Sequence, residues 1–154
     1  MKKVFIYYSY TGNGDIVSKK YMDNGYDVYK VTTKKRPIPK SFFFGMLIGG
    51  MLSGMNHKSK INDIDINLDE YDKIIIGSPI WNSKLACPTN AMLSQIEQKF
   101  NNKLANKDVS FVLYSGSGEG KGANKKIKEL YPNAKITFLK EPKKYSENLD
   151  KLEL

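Results

Sequence analysis

The sequence predicts an α/β protein built on an open, parallel sheet of five strands with helices on both faces. Two observations carry that expectation. Three short runs, Val4-Phe5-Ile6-Tyr7-Tyr8, Ile74-Ile75-Ile76 and Val109-Ser110-Phe111-Val112-Leu113-Tyr114, are apolar almost throughout. They lack the in–out alternation of a half-exposed sheet, which suits strands covered on each side. Between them, apolar residues recur at helical spacing, so strand and helix alternate along the chain.

Taken in order, the first strand is 4–8. Ile16, Val17 and Tyr21 then share one face of a helix that Asn24-Gly25 stops. A weaker strand spans 26–32. Lys34-Lys35-Arg36-Pro37-Ile38-Pro39-Lys40 is basic and punctuated by proline, and reads as an exposed loop. Residues 42–54 are apolar but carry Gly45, Gly49, Gly50 and Gly54, which make a poor autonomous helix. Such a segment either covers the sheet in place of a regular helix, or forms a flap or a sticky surface for dimerisation or membrane contact. Strand 74–76 follows. Pro88 then opens a helix with Met92, Ile96 and Phe100 along one stripe. After strand 109–114, Ala123, Ile127 and Leu130 form the next stripe, ended by Pro132. A weaker strand spans 134–139, and Leu149 and Leu152 leave room for a short terminal helix.

At 154 residues the chain fits a single domain, and its 40% hydrophobic content supplies a core. A single cysteine excludes an internal disulfide framework and a cysteine-based zinc site, and a single histidine excludes a histidine metal cluster. No run reaches the roughly 18 to 20 apolar residues that span a bilayer. The opening apolar run is also shorter than a signal-peptide core of ~7 to 15 residues. A cytoplasmic location is expected. The net charge of +9 is carried almost wholly by scattered lysine, with Arg36 the sole arginine. Scattered lysine reads as a solvated surface, and nucleic acid is not expected, because its binding concentrates arginine forks and aromatics on one face. An acidic protein partner or an anionic lipid surface stays compatible with the charge.

In an open parallel sheet, ligands sit beyond the carboxyl ends of the strands. Three loops belong there: Ser9-Tyr10-Thr11-Gly12-Asn13-Gly14-Asp15, Gly77-Ser78-Pro79-Ile80-Trp81-Asn82-Ser83, and Ser115-Gly116-Ser117-Gly118-Glu119-Gly120-Lys121-Gly122. The first joins a buried strand to a helix start, where small residues let amides face an anion and Ser9 and Thr11 add hydroxyls. Asp15 could cap that helix or oppose the anion. Other phosphate motifs fail. Gly120-Lys121 is followed by Gly122 rather than a hydroxyl residue, and Val17 stands where a dinucleotide fingerprint needs its third glycine. No arginine follows Cys87 as a cysteine phosphatase requires, and His57 lies in irregular sequence with no nucleophile elbow to serve.

Val4 to Asp15, with Ser9-x-Thr11-Gly12-Asn13, resembles the phosphate loop of flavodoxins and flavodoxin-like flavoproteins. Tyr71-Asp72-Lys73-Ile74-Ile75-Ile76-Gly77-Ser78-Pro79-Ile80-Trp81 resembles their third strand and the loop after it, and residues 109–118 resemble the fourth strand and its glycine-rich loop. The resemblance implies one flavodoxin-like domain over 1–154, interrupted by the irregular apolar and glycine-rich segment at about 37–60, with strand order 2-1-3-4-5 and non-covalent FMN. It implies that Ser9, Tyr10, Thr11, Gly12, Asn13 and Gly14 surround the phosphate and ribityl end. Pro79, Ile80, Trp81 and Asn82 would border the isoalloxazine, and Ser115, Gly116, Ser117 and Gly118 would touch its pyrimidine edge. Stacking on Trp81 is physically apt, since large aromatic planes gain from offset contact. Tyr114 is a second stacking candidate or the last core residue of its strand. Cys87 reads mainly as a small residue at a helix start.

Three departures qualify the resemblance. The family usually carries a third hydroxyl residue where this chain has Gly14. A glycine that allows a peptide flip often follows the loop aromatic, where this chain has Asn82-Ser83. Electron-transfer flavodoxins are commonly acidic, whereas this chain is basic. The function implied is an FMN-binding redox protein, either an electron carrier or a small flavin-dependent oxidoreductase, acting with an acidic redox partner as monomer or homodimer. Two alternatives stay open at this level. One is a flavodoxin-like domain that lost FMN and became an interaction module; the other is a basic binder of nucleic acid or anionic membrane.

Overall fold

The computed structural model describes residues 1–35, 51, 58–100 and 103–154. The basic proline-punctuated loop beyond Lys35, the 42–54 segment apart from Met51, and His57 lie outside the described residues.

Among the described residues, six strands form the sheet: β1 (Lys3–Tyr7), β2 (Asp27–Lys30), β3 (Lys73–Trp81), β4 (Lys84–Leu85), β5 (Asp108–Ser115) and β6 (Lys135–Lys140). Five of them run parallel in the order β2-β1-β3-β5-β6, while β4 folds back antiparallel onto the end of β3. Leaving aside that short addition, the order is the expected 2-1-3-4-5. The helices packed on the sheet among the described residues are α1 (Asn13–Asp23), α2 (Cys87–Phe100) and α3 (Lys121–Leu130).

The apolar strand runs explain the two-sided core. Alternate residues of a strand face opposite sides. Val4, Ile6, Ile74, Ile76, Phe111 and Leu113 pack with Met92 and Ile96 of α2 and Ala123 and Ile127 of α3. Phe5, Tyr7, Ile75, Val112 and Tyr114 pack on the other side with Val17 and Tyr21 of α1 and the C-terminal Leu152. The terminal segment, a 3-10 helix at Ser146–Lys151, sets Leu149 against this second cluster, as its spacing predicts. On α1, Ile16 is only half-buried, leaving Val17, Ser18 and Tyr21 as the inward face.

Two expectations need correction. Leu130 is 44% exposed, and the buried residue that completes the α3 stripe is Tyr131, whose ring meets Phe111 at 5.6 Å. The amphipathic spacing continues past the helix end, and a large ring fills the site that a leucine was expected to fill. The second loop is also mostly strand. β3 runs on through Pro79, Ile80 and Trp81, and Asn82-Ser83 makes a two-residue turn into β4. Both turn residues have positive φ, 48° and 63°. That is the mirror-image turn whose twist matches paired antiparallel strands. Pairing of β1 with β3 stops at Tyr7–Gly77, so Pro79 interrupts no bond on that side.

Candidate functional site

β1 lies between β2 and β3, so the chain winds outward in both directions from the carboxyl ends of β1 and β3. This switch point is where doubly wound sheets bind ligands. The strand order therefore brings the first and second predicted loops together, and the β3–β5 pairing sets the third beside them.

The first loop ends on the N-terminus of α1. Gly12 is the N-cap, in the left-handed region at φ 94°, and has no side chain of its own to cap the helix. The first intrahelical bond is donated by Ile16 to Gly12 O at 3.2 Å, and Gly14 N–H donates to Ser9 Oγ at 3.2 Å. Amides of a first turn have no acceptor within the helix. Those of Asn13 and Asp15 therefore stay available at the positive end of the helix dipole. Asn13 braces the loop: its Nδ2 donates to Thr11 Oγ1 at 3.2 Å, and its Oδ1 accepts from Lys143 N at 3.0 Å.

Asp15 is engaged elsewhere. Its Oδ1 accepts from Tyr7 Oη at 2.8 Å and pairs with Lys30 Nζ at 2.7 Å. Burial works against its charge, but Lys30, Tyr7 and Ser9 outweigh burial and hold its carboxyl below the usual value. The Tyr7 hydroxyl is pushed up to about 12, chiefly by burial, and so remains a donor. Of the two roles that the sequence allows Asp15, the structure shows neither a cap nor a group facing the loop amides.

Gly14 is explained by packing. A Cβ at this position would collide with Tyr114 Oη and lie 2.9 Å from both Ser9 Cβ and the Tyr7 ring. Tyr114 is fully buried, and its hydroxyl donates to Tyr8 O. Tyr114 is thus the last core residue of its strand, and its hydroxyl occupies the room that a hydroxyl residue at position 14 would need. The absence of a hydroxyl residue at position 14, a departure from the resemblance, therefore has a structural cause.

Trp81 is half-buried at the end of β3. Tyr8 and Tyr10 meet it edge-on, with ring centroids 6.3 and 5.9 Å away and planes at 86°. Edge-to-face packing fixes the indole without covering it by a parallel ring. The strand end beneath is held by buried hydroxyls: Ser78 donates to Pro79 O at 2.8 Å and is hydrogen-bonded to Thr89 of α2 at 2.8 Å. Asn82 and Ser83 are exposed at the turn, and Ile80 packs over the bare backbone of Gly120 at the start of α3.

The third loop is tied to one hydroxyl. Ser115, the last residue of β5, accepts through Oγ from Gly118 N at 2.9 Å and Glu119 N at 3.2 Å. Ser117 Oγ also accepts from Glu119 N, at 3.3 Å. Ser115 and Ser117 therefore shape the loop by their side chains, while Gly116 and Ser117 are exposed at its tip. Cys87 is fully buried at the first position of α2, the helix-start residue that the sequence suggests.

Three contacts are invisible in the sequence pattern. Tyr8 supports Trp81. Ser83 receives the N-terminus of α3, with Gly122 N–H donating to its Oγ at 3.1 Å and Ala123 N–H to its carbonyl at 2.7 Å. Lys143 reaches the first loop from beyond β6. No periodicity marks any of them. By contrast, a depression of about 550 Å³ lined by Tyr71, Asp72, Asn106, Lys107 and Asp108 lies at the amino ends of β3 and β5, the opposite edge of the sheet.

No protein-family model matches the chain, and no curated protein matches its sequence. Solved structures do. A flavoprotein in complex with FMN from Lactobacillus acidophilus NCFM is 19% identical, with a TM-score of 0.68, 95% of this chain and 97% of that one being covered. A protein from Bacteroides eggerthii DSM 20697, classed as a flavoprotein, is 21% identical with a TM-score of 0.67 over 97% and 96% of the two chains. Another from Bacteroides uniformis ATCC 8492, so classed, is 19% identical with a TM-score of 0.64 over 88% of each. At these identities the likeness is one of architecture, and together with the strand order it shows that the chain has the flavodoxin-like fold.

Proposed function

We propose that this chain is a single-domain, FMN-binding redox protein of the cytoplasm, an electron carrier or small flavin-dependent oxidoreductase that meets an acidic redox partner. The observation that carries the reading is the pairing, at one switch point, of a helix N-terminus with a glycine N-cap on a small-residue loop with an indole held edge-on by two tyrosines. The first suits a phosphate monoester and the second suits a large aromatic ring system. Similarity to a flavoprotein crystallised with FMN supports the same cofactor.

The residues fit the group. Backbone amides at the start of α1, with Ser9, Tyr10, Thr11, Gly12, Asn13 and Gly14, would hold its phosphate and ribityl end. Pro79, Ile80, Trp81 and Asn82 would border the ring, and Ser115, Gly116, Ser117 and Gly118 would meet its pyrimidine edge. Bound FMN supplies the redox chemistry, taking up and releasing electrons through its ring, while the protein tunes potential and access. The chain's own part is binding and orientation. Ser78 and Thr89 fix the strand end under Trp81, and the Asn82-Ser83 turn, anchored to α3, resists backbone rearrangement beside the ring.

Titrating FMN against the apoprotein is expected to quench flavin fluorescence with one-to-one saturation. Thr11→Glu with Gly12→Glu is expected to abolish this, because two carboxylates would face the phosphate and Gly12 has a φ that side chains rarely adopt. Unaltered fluorescence with the wild-type chain would refute the cofactor reading; unchanged affinity in the double variant would refute the phosphate assignment.

A further inference from the structure

The turn after β6 closes over the first loop, and its central lysine carries the inference. Glu141 has a φ of 36°, and its carbonyl accepts from Lys144 N at 2.8 Å and Tyr145 N at 2.9 Å. Glu141 N in turn donates to Ser115 O at 3.0 Å, so this turn is fastened to the start of the third loop. Lys143 N donates to Asn13 Oδ1, fastening it to the first loop as well. Of the three lysines in this stretch, Lys140 and Lys144 lie over the ring of Tyr145, with Nζ 5.6 and 5.1 Å from its centroid. Lys143 points the other way. Its Nζ lies 3.4 Å from where a Cβ on Gly12 would stand, with Cδ and Cε alongside at 3.5 and 3.8 Å.

Electrostatically this placement is unfavourable as it stands. Cations are favoured at helix C-termini and disfavoured at N-termini, yet the Lys143 ammonium sits at the N-cap of α1. The acidic residue of that first turn does not compensate it, because Asp15 is paired with Lys30. Among the described residues, which include every carboxylate of the chain, none is within ion-pair distance of Lys143 Nζ. A dianion between the ammonium and the helix amides would satisfy both. We infer that Lys143 is the cationic partner of the ligand's phosphate, so that this site discriminates a phosphorylated flavin from its unphosphorylated form by charge as well as by hydrogen bonds. The inference rests on the proposed cofactor site. Gly12 is required for its φ, while a Cβ there would meet the lysine at ordinary van der Waals distance.

The test compares FMN with riboflavin, which shares the ring and ribityl chain but has no phosphate. Dissociation constants are measured for the wild type, Lys143→Gln and Lys143→Arg, with circular dichroism melts to check folding of these exposed-site variants. Lys143→Gln is expected to weaken FMN about tenfold or more, the scale of one charge-assisted hydrogen bond, and to leave riboflavin unchanged. Lys143→Arg should retain most of the preference, and inorganic phosphate should compete less well in the Gln variant than in the wild type. If wild-type chain binds FMN but Lys143→Gln binds it equally well, or weakens both flavins alike, the lysine inference falls and the cofactor reading stands. If the wild type binds neither flavin, both fall.

Discussion

Gly14 and Tyr114 show how one residue's packing decides another's chemistry. The Tyr114 hydroxyl donates to Tyr8 O from a fully buried ring, and the room it takes leaves none for a side chain at position 14. Gly14→Ala should therefore destabilise the fold by about 1–3 kcal/mol, as overpacking of a close-packed interior does. Tyr114→Phe removes the oxygen that a Cβ would strike first, so the same glycine substitution should cost less in that background. Thermal denaturation of the two single variants and the double variant reads this coupling, and equal costs in both backgrounds would contradict it.

At the scale of elements, the turn between β3 and β4 is a joint as well as a reversal. Ser83 adopts φ 63°, unusual for a residue with a side chain, while its hydroxyl and carbonyl take the amides of Gly122 and Ala123. The N-terminus of α3 is thereby satisfied by a neighbouring element, whereas at that of α1 the acceptor for Gly14 N–H comes from the preceding loop, at Ser9 Oγ. Ser83→Ala loses the hydroxyl and keeps the backbone strain, and is expected to cost about 1 kcal/mol. Ser83→Gly loses the same hydroxyl but relieves the strain, and should fall within a few tenths of wild type. Urea midpoints of the two variants check this, and a glycine variant less stable than the alanine variant would contradict it.

For the molecule as a whole, the charge is not all solvated coating. Lys107 Nζ donates to the carbonyls of Leu68, Asp69 and Tyr71, Lys128 to those of Pro132 and Ala134, and Lys99 to that of Ile64. These lysines close backbone ends rather than advertise a binding face. Among the described residues, no helix is long and apolar enough to cross a membrane. The carboxyl of Asp15 lies below its usual value in the folded chain, which fixes the sign of its pH effect. Its contribution to stability is fully present above the unfolded value near 3.9 and is lost as pH falls through the lower folded value. In urea titrations, Asp15→Asn should be less stable than wild type at neutral pH, with the gap narrowing below about pH 4. A gap that stays constant down to pH 3 would refute the assignment.

The alternation of doubly buried strands with helical stripes was enough, from sequence alone, to define the open parallel sheet and the three loops at its carboxyl edge. Such patterns are set by local periodicity and by which faces must avoid water. Tertiary structure alone decided the rest: that Trp81 belongs to a strand end, that Tyr131 and not Leu130 completes the α3 stripe, that Tyr114 accounts for Gly14, and that Lys143 stands over Gly12. Each of these depends on groups far apart in the chain meeting in space, and neither spacing nor composition encodes a meeting of that kind.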